Sequence, residues 1–181
     1  MKIQGNHIFA DEGKVLRRIS DKQESGSEVC LGYTYYLDGK KLDVPLLELP
    51  EHYEEVADIA ALKHAKIEAV LAYDSSANVN VFRLGGHRIW LDKTTRVGLV
   101  NSVNAEKSSG RGTTTLWYEG VSYCLPVDYA LELLRVLELY ALECYNVTQR
   151  HIASVNSLTD REDVDRYDFR QGYPQVLVFN V

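Results

Sequence analysis

Apolar positions along this chain switch spacing repeatedly, and each switch marks a new kind of element. Residues 1–50 read as short strands between turn residues. Residues 3–9 alternate weakly. Residues 29–37 form a stronger strand run, rich in aromatic and β-branched side chains, with Cys30, Gly32, Thr34 and Tyr36 on one face. Asp38-Gly39 then signals a type I′ hairpin turn, with 40–44 as the returning strand. Pro45 and Pro50 bracket an extended connector. From 51 to 73 the apolar steps become three and four, through Val56, Ile59, Ala60, Ile67, Val70 and Leu71, which predicts an amphipathic helix.

Two hairpin–helix pairs follow. Residues 79–84 and 87–91 flank Gly85-Gly86 and lead to a helix at 94–107, with Asp92 or Thr94 as its cap. Residues 113–118 and 121–125 flank Glu119-Gly120 and lead to a second helix starting near Pro126. The expected arrangement is four antiparallel strands in one sheet. The second helix carries a stripe at Val127, Ala130, Leu131, Leu134, Leu137, Ala141, Cys144, Thr148, Ile152 and Val155. A neighbouring stripe runs through Leu133, Val136, Tyr140 and Val147. So wide an apolar face needs more than one packing partner. A helix of some 30 residues would span roughly 45 Å, so its end is expected to project or to meet another subunit. Thr159 and Glu162 form a capping box for a short helix, Gly172-Tyr173-Pro174 interrupts, and 176–179 read as a last strand. The predicted class is α+β: antiparallel hairpins packed on a long central helix, with a small β-rich N-terminal module at 1–50 and an α+β domain at 51–181.

Composition adds limits. A chain of 181 residues can bury a full core without staples. With 45% apolar and 25% charged residues it reads as globular. Its formal charge of −6, with no basic run, argues against nucleic acid as a partner. Arg17-Arg18 reads as a solvated surface pair. Cysteines at 30, 124 and 144 fit no zinc spacing, so reduced, buried thiols and a reducing compartment are expected. The N-terminal residues lack a signal-peptide core, and no run has the roughly 20 apolar residues that span a bilayer. The reading is therefore a soluble product made in the cytosol, with no membrane partner.

Candidate chemistry is sparse. His7, His52, His64, His87 and His151 show no metal-ligand spacing, so no metal and no cofactor are expected. Gly85-Gly86-His87 precedes a strand, whereas a phosphate loop needs a helix N-terminus. No Gly-x-Ser-x-Gly elbow occurs, and Cys124 and Cys144 have no basic neighbour in sequence. No catalytic residue is assigned. Two positions stand out. Asp92 and Arg96 are four apart at a helix start, and serve either as a clamp fixing hairpin to helix or as part of a ligand site. Tyr33, Tyr35 and Tyr36 crowd one strand, and such clusters favour recognition interfaces.

The combination Tyr73-Asp74, Trp90-Leu91-Asp92-Lys93, Thr95-Arg96, Leu116-Trp117-Tyr118, Leu139-Tyr140-Ala141 and Gly172-Tyr173-Pro174 resembles an uncharacterised domain family of tailed bacteriophages and prophages, found in tail and tail-fibre gene regions. It covers about two thirds of the chain, from residue 58 onward. The front end, with 10–16 and Leu31-Gly32-Tyr33, resembles proteins of gut Bacteroidales and their phages. The resemblance implies a non-enzymatic virion or assembly protein, located in the virion or the bacterial cytoplasm. Its partners would be other phage structural proteins, and a homo-oligomer fits as well. The alternatives are a small enzyme or ligand-binding domain with a site near Asp92 and Arg96, and a host-directed prophage accessory protein.

Overall fold

A computed structural model describes residues 1–32, 34–43 and 48–180, of which 34–37 and 41–43 are described by their backbone. The chain runs through β1 (Lys2–Gln4), β2 (His7–Phe9), β3 (Lys14–Arg18), β4 (Glu28–Cys30), β5 (Thr34–Leu37), β6 (Lys40–Asp43) and β7 (Tyr53–Ala57). Next come α1 (Ile59–Asp74), β8 (Val81–Leu84), β9 (His87–Trp90), α2 (Lys93–Ser108), β10 (Thr113–Tyr118) and β11 (Val121–Pro126). The 31-residue α3 (Val127–Ser157), α4 (Arg161–Arg166) and β12 (Leu177–Phe179) complete it. The protein is mixed α+β, as its sequence predicts.

It forms two compact units, and the division falls inside α1. The first joins Met1–Ala65 to Leu158–Arg166; the second joins Lys66–Ser157 to the stretch from Tyr167 onward. The predicted boundary at residue 50 therefore falls within the first unit.

In the first unit Ile8, Leu16, Leu31 and Tyr53 form the core. They come from β2, β3, β7 and the residue after β4, each strand turning one side inward at period two. The antiparallel β3–β7 ladder places Arg17 opposite Glu54, and Arg17 Nε donates to Glu54 Oε1 at 3.0 Å. That arginine first, then Lys22, holds the Glu54 carboxyl below its ordinary pKa. Arg18 pairs with Asp21 and Glu48. α4 belongs to this unit: Asp160 Oδ1 accepts from Glu162 N and Asp163 N at its start, and Arg161 reaches the Ala57 carbonyl and Glu24.

Two strand expectations need correction here. Residues 53–57 are β7, although their spacing reads as the start of a helix; Glu54 and Glu55 find cationic partners across a ladder, and the helix begins only at Ile59. Asp58 marks the change, its side chain accepting from Ala60 N at 2.9 Å. The run 29–37 is two strands, β4 pairing with β2 and β5 with β6. The turn between β5 and β6 has positive φ at both Asp38 and Gly39, as a type I′ turn demands. Tyr33 lies outside the described residues, and Tyr35 and Tyr36 are described only as backbone in β5.

The second unit is built on α3. One broad face of this helix is buried, from Val127 through Leu134 and Leu137 to Val155. Onto it pack Phe82, Leu84 and Ile89 of the first hairpin, Leu116, Tyr123 and Leu125 of the second, and Val103 of α2. Both hairpins form at the predicted residues. They do not share a sheet, contrary to expectation. β10 and β11 stand as a two-stranded ribbon, while β8 takes β12 as its second neighbour, in parallel, with Leu177 opposite Phe82. A parallel partner must come from a crossover, and the chain after α4 supplies it. Among the described residues, no helix is long and apolar enough to cross a membrane.

Candidate functional site

The predicted pair Asp92 and Arg96 sits where β9 hands over to α2. Asp92 is the N-cap: its Oδ1 accepts from Thr95 N and its Oδ2 from the Thr95 hydroxyl, each at 2.8 Å. Those two bonds, the backbone one first, hold the Asp92 carboxyl below its ordinary pKa, with Arg96 the weakest contributor. Arg96 faces elsewhere. It is 7% exposed, donates from Nε to Glu138 Oε1 at 2.7 Å, and from Nη1 to the Leu91 carbonyl at 2.7 Å. Arg96 thus links the first turn of α2 to α3 and to Leu91 just after β9, while Asp92 caps α2 separately.

Asp92→Ala is expected to lower the thermal midpoint, while Asp92→Asn, which still accepts a capping hydrogen bond, stays close to the parent. The folded-state pKa is depressed, so this carboxylate's contribution is complete above its unfolded pKa and lost as pH falls through the folded one. Midpoints of the parent and Asp92→Asn should therefore converge in acid, which calorimetry across pH would show.

Around these residues opens a cleft of about 320 Å³, lined among others by Asp74, Asn80, Trp90, Lys93, Arg96 and Tyr145. Beside it lies a hollow of about 410 Å³ bounded by Lys93, Arg96, Glu138, Ala141, Leu142 and Tyr145. Two shielded polar atoms of the cleft wall, Trp90 Nε1 and Asn80 Oδ1, make no hydrogen bond. Size and lining suit a small ligand or one side chain of a larger one.

A second polar constellation lies deeper. Thr148 is fully buried within α3's apolar face. Its hydroxyl meets Asp74 Oδ1 at 2.8 Å, Tyr173 Oη at 2.9 Å and the Cys144 carbonyl at 3.2 Å. Burial, ahead of other effects, raises the Cys144 thiol and takes Tyr140 up to about 12. A shielded thiol with a raised pKa is a poor nucleophile. One turn on, His151 Nε2 donates to the Gln171 carbonyl at 3.0 Å and Nδ1 meets the Tyr167 hydroxyl at 2.8 Å, clasping the segment 167–173 to α3. Among the described residues no group of three His, Cys, Asp or Glu side chains is placed to hold a metal ion.

The cysteines differ from the all-buried expectation: Cys30 and Cys124 are exposed and only Cys144 is buried. A thiol reagent should accordingly modify Cys30 and Cys124 in the native protein, and Cys144 only after denaturant. Peptide mapping of the labelled sites checks this.

Sequence reasoning singled out Arg96 but could not find its partner Glu138, which lies 42 positions on. It also missed the Thr148 node and the His151 clasp. For Thr148 a signal existed, since a polar residue within a buried stripe needs hydrogen-bond partners. Comparison with known protein families, with curated proteins and with solved structures finds no match to this chain.

Proposed function

We propose that this chain is a phage- or prophage-derived structural or assembly protein that works through protein–protein contacts and carries out no chemistry of its own. The observation that carries this reading is the solvent side of α3. There Leu139, Leu142 and Tyr145 are 50%, 54% and 53% exposed, one after another at three-residue steps. Single exposed apolar side chains are ordinary, but a run of them on one helix, rimmed by Arg135, Asn146 and Gln149, has the make-up of a contact surface. The resemblance to tail-region proteins supplies the context: other phage structural proteins as partners, in the virion or the bacterial cytoplasm. Particles purified from the source phage or an induced prophage, analysed by mass spectrometry, test it. The chain should appear at fixed stoichiometry with tail proteins. Its absence from particles, in cells that express it, would turn attention to a host-directed role.

The cleft favours a second reading, a ligand-binding domain with its site at Trp90, Lys93 and Arg96. A screen of small polar molecules by thermal shift separates it from the first, because a ligand that binds the folded state raises the midpoint, and does so further as its concentration exceeds its dissociation constant.

A further inference from the structure

The solvent side of α3 carries an order that its buried side does not impose. Glu132, Arg135, Leu139, Leu142, Asn146 and Gln149 are all exposed and follow one another at alternating steps of three and four. That is the spacing of a helix that pairs with another helix along its length. At about 1.5 Å per residue this seam runs for roughly 25 Å. Its middle is apolar, with Leu139 and Leu142 both at least half exposed, and its ends are polar. Arg135 donates from Nε and Nη2 to the two carboxylate oxygens of Glu132, so one end is an ion pair. The other end, Asn146 and Gln149, is a pair of neutral amides.

We propose that a second copy of this chain covers the seam, in an antiparallel, two-fold symmetric pair of α3 helices. Turned end for end, the seam matches itself about the midpoint between Leu139 and Leu142. Leu139 of each copy lies on Leu142 of the other, Arg135 faces Asn146, and Glu132 faces Gln149. The ion pair of one copy thus meets amides of the other, which both donate and accept, and no like charges face each other along the seam. Beside it, Glu138 faces the hydroxyl of Tyr145 in the second copy. A parallel pair would set Glu132 against Glu132, Arg135 against Arg135 and Glu138 against Glu143, so repulsion selects the antiparallel one. A self-complementary patch of this kind is what a two-fold contact requires. The inference rests on the protein-contact reading above and names the partner on that surface.

Sedimentation velocity of the full chain across a dilution series tests it, alongside Leu139→Glu, Leu142→Lys, the two combined, and Leu71→Glu. All three positions are exposed, and circular dichroism checks that each variant keeps the parent's fold. The parent should be a reversible dimer. Each single change on the seam puts one charge per copy into its apolar middle and should weaken the dimer on the order of a hundredfold. Leu71→Glu, at an exposed leucine of α1, should leave it intact. In the combined variant opposite charges meet across the two-fold axis, so it should associate about tenfold more tightly than either single variant. A parallel pair would bring like charges together and recover nothing. A monomeric parent, a dimer indifferent to both seam changes or dissolved by Leu71→Glu, or a combined variant no tighter than the single ones would overturn the assignment. A monomer found in particles at fixed stoichiometry would remove only this inference and give the seam to another protein. A dimer that behaves as expected but is absent from particles would remove the assembly reading and leave the pairing in place.

Discussion

Replacing Phe82 with alanine is expected to remove about 3–5 kcal/mol of stability, the usual cost of emptying a buried phenylalanine site. Phe82 is 2% exposed and sits on β8, the middle strand between β12 and β9. Its ring meets Phe179 edge-on at 6.0 Å between centroids. Deleting it opens a cavity under α3 and also removes the aromatic contact that ties β12 to the sheet. Natural domains hold only about 5–15 kcal/mol in total, so this one change consumes a large share. Urea denaturation should show a much lower midpoint with an unchanged slope, and Phe82→Leu, which keeps most of the apolar volume, should lose less. A Phe82→Ala variant as stable as its parent would mean that the β8–α3 packing is not the core of the second unit.

Thr148→Val should cost roughly 1–3 kcal/mol although it barely changes shape. The hydroxyl it removes serves Asp74 from the end of α1 and Tyr173 from the segment after α4. With a methyl in its place, the half-buried Asp74 carboxylate and the half-buried Tyr173 phenol both lose this partner. Thr148→Ser restores the hydroxyl and should recover most of the loss, which a cavity effect alone would not do. Chemical denaturation of the three proteins measures the energies. Near-UV circular dichroism reports whether Tyr173 and its neighbours Tyr73 and Phe169 lose their fixed packing.

The parts of this architecture that could be read from sequence are those fixed by near neighbours. The hairpins at β8–β9 and β10–β11 follow from alternation around turns that need positive φ, as Glu119 and Gly120 adopt. The length of α3 and its buried face follow from apolar spacing, and the start of α2 from Asp92. What escaped depends on residues far apart in the chain. Glu54 and Glu55 look like the polar face of a helix until β3 is placed beside them. Whether two hairpins merge into one sheet is settled by what competes for the strand edges, and β12 takes the edge of β8. At the site, the residue types at 92 and 96 were informative, but their roles were set by Thr95, Leu91 and Glu138.

Both units are closed by segments that come late in the chain: α4 returns to β7 and its surroundings through Arg161, and β12 returns to β8. Each closure pays for a long loop before any contact rewards it, so these should be slow steps of folding. During synthesis, β8 must wait for its parallel neighbour until Leu177–Phe179 have left the ribosome, with α3 already long enough to form. A fragment ending at Ser157 would contain every residue of the cleft and yet complete neither unit.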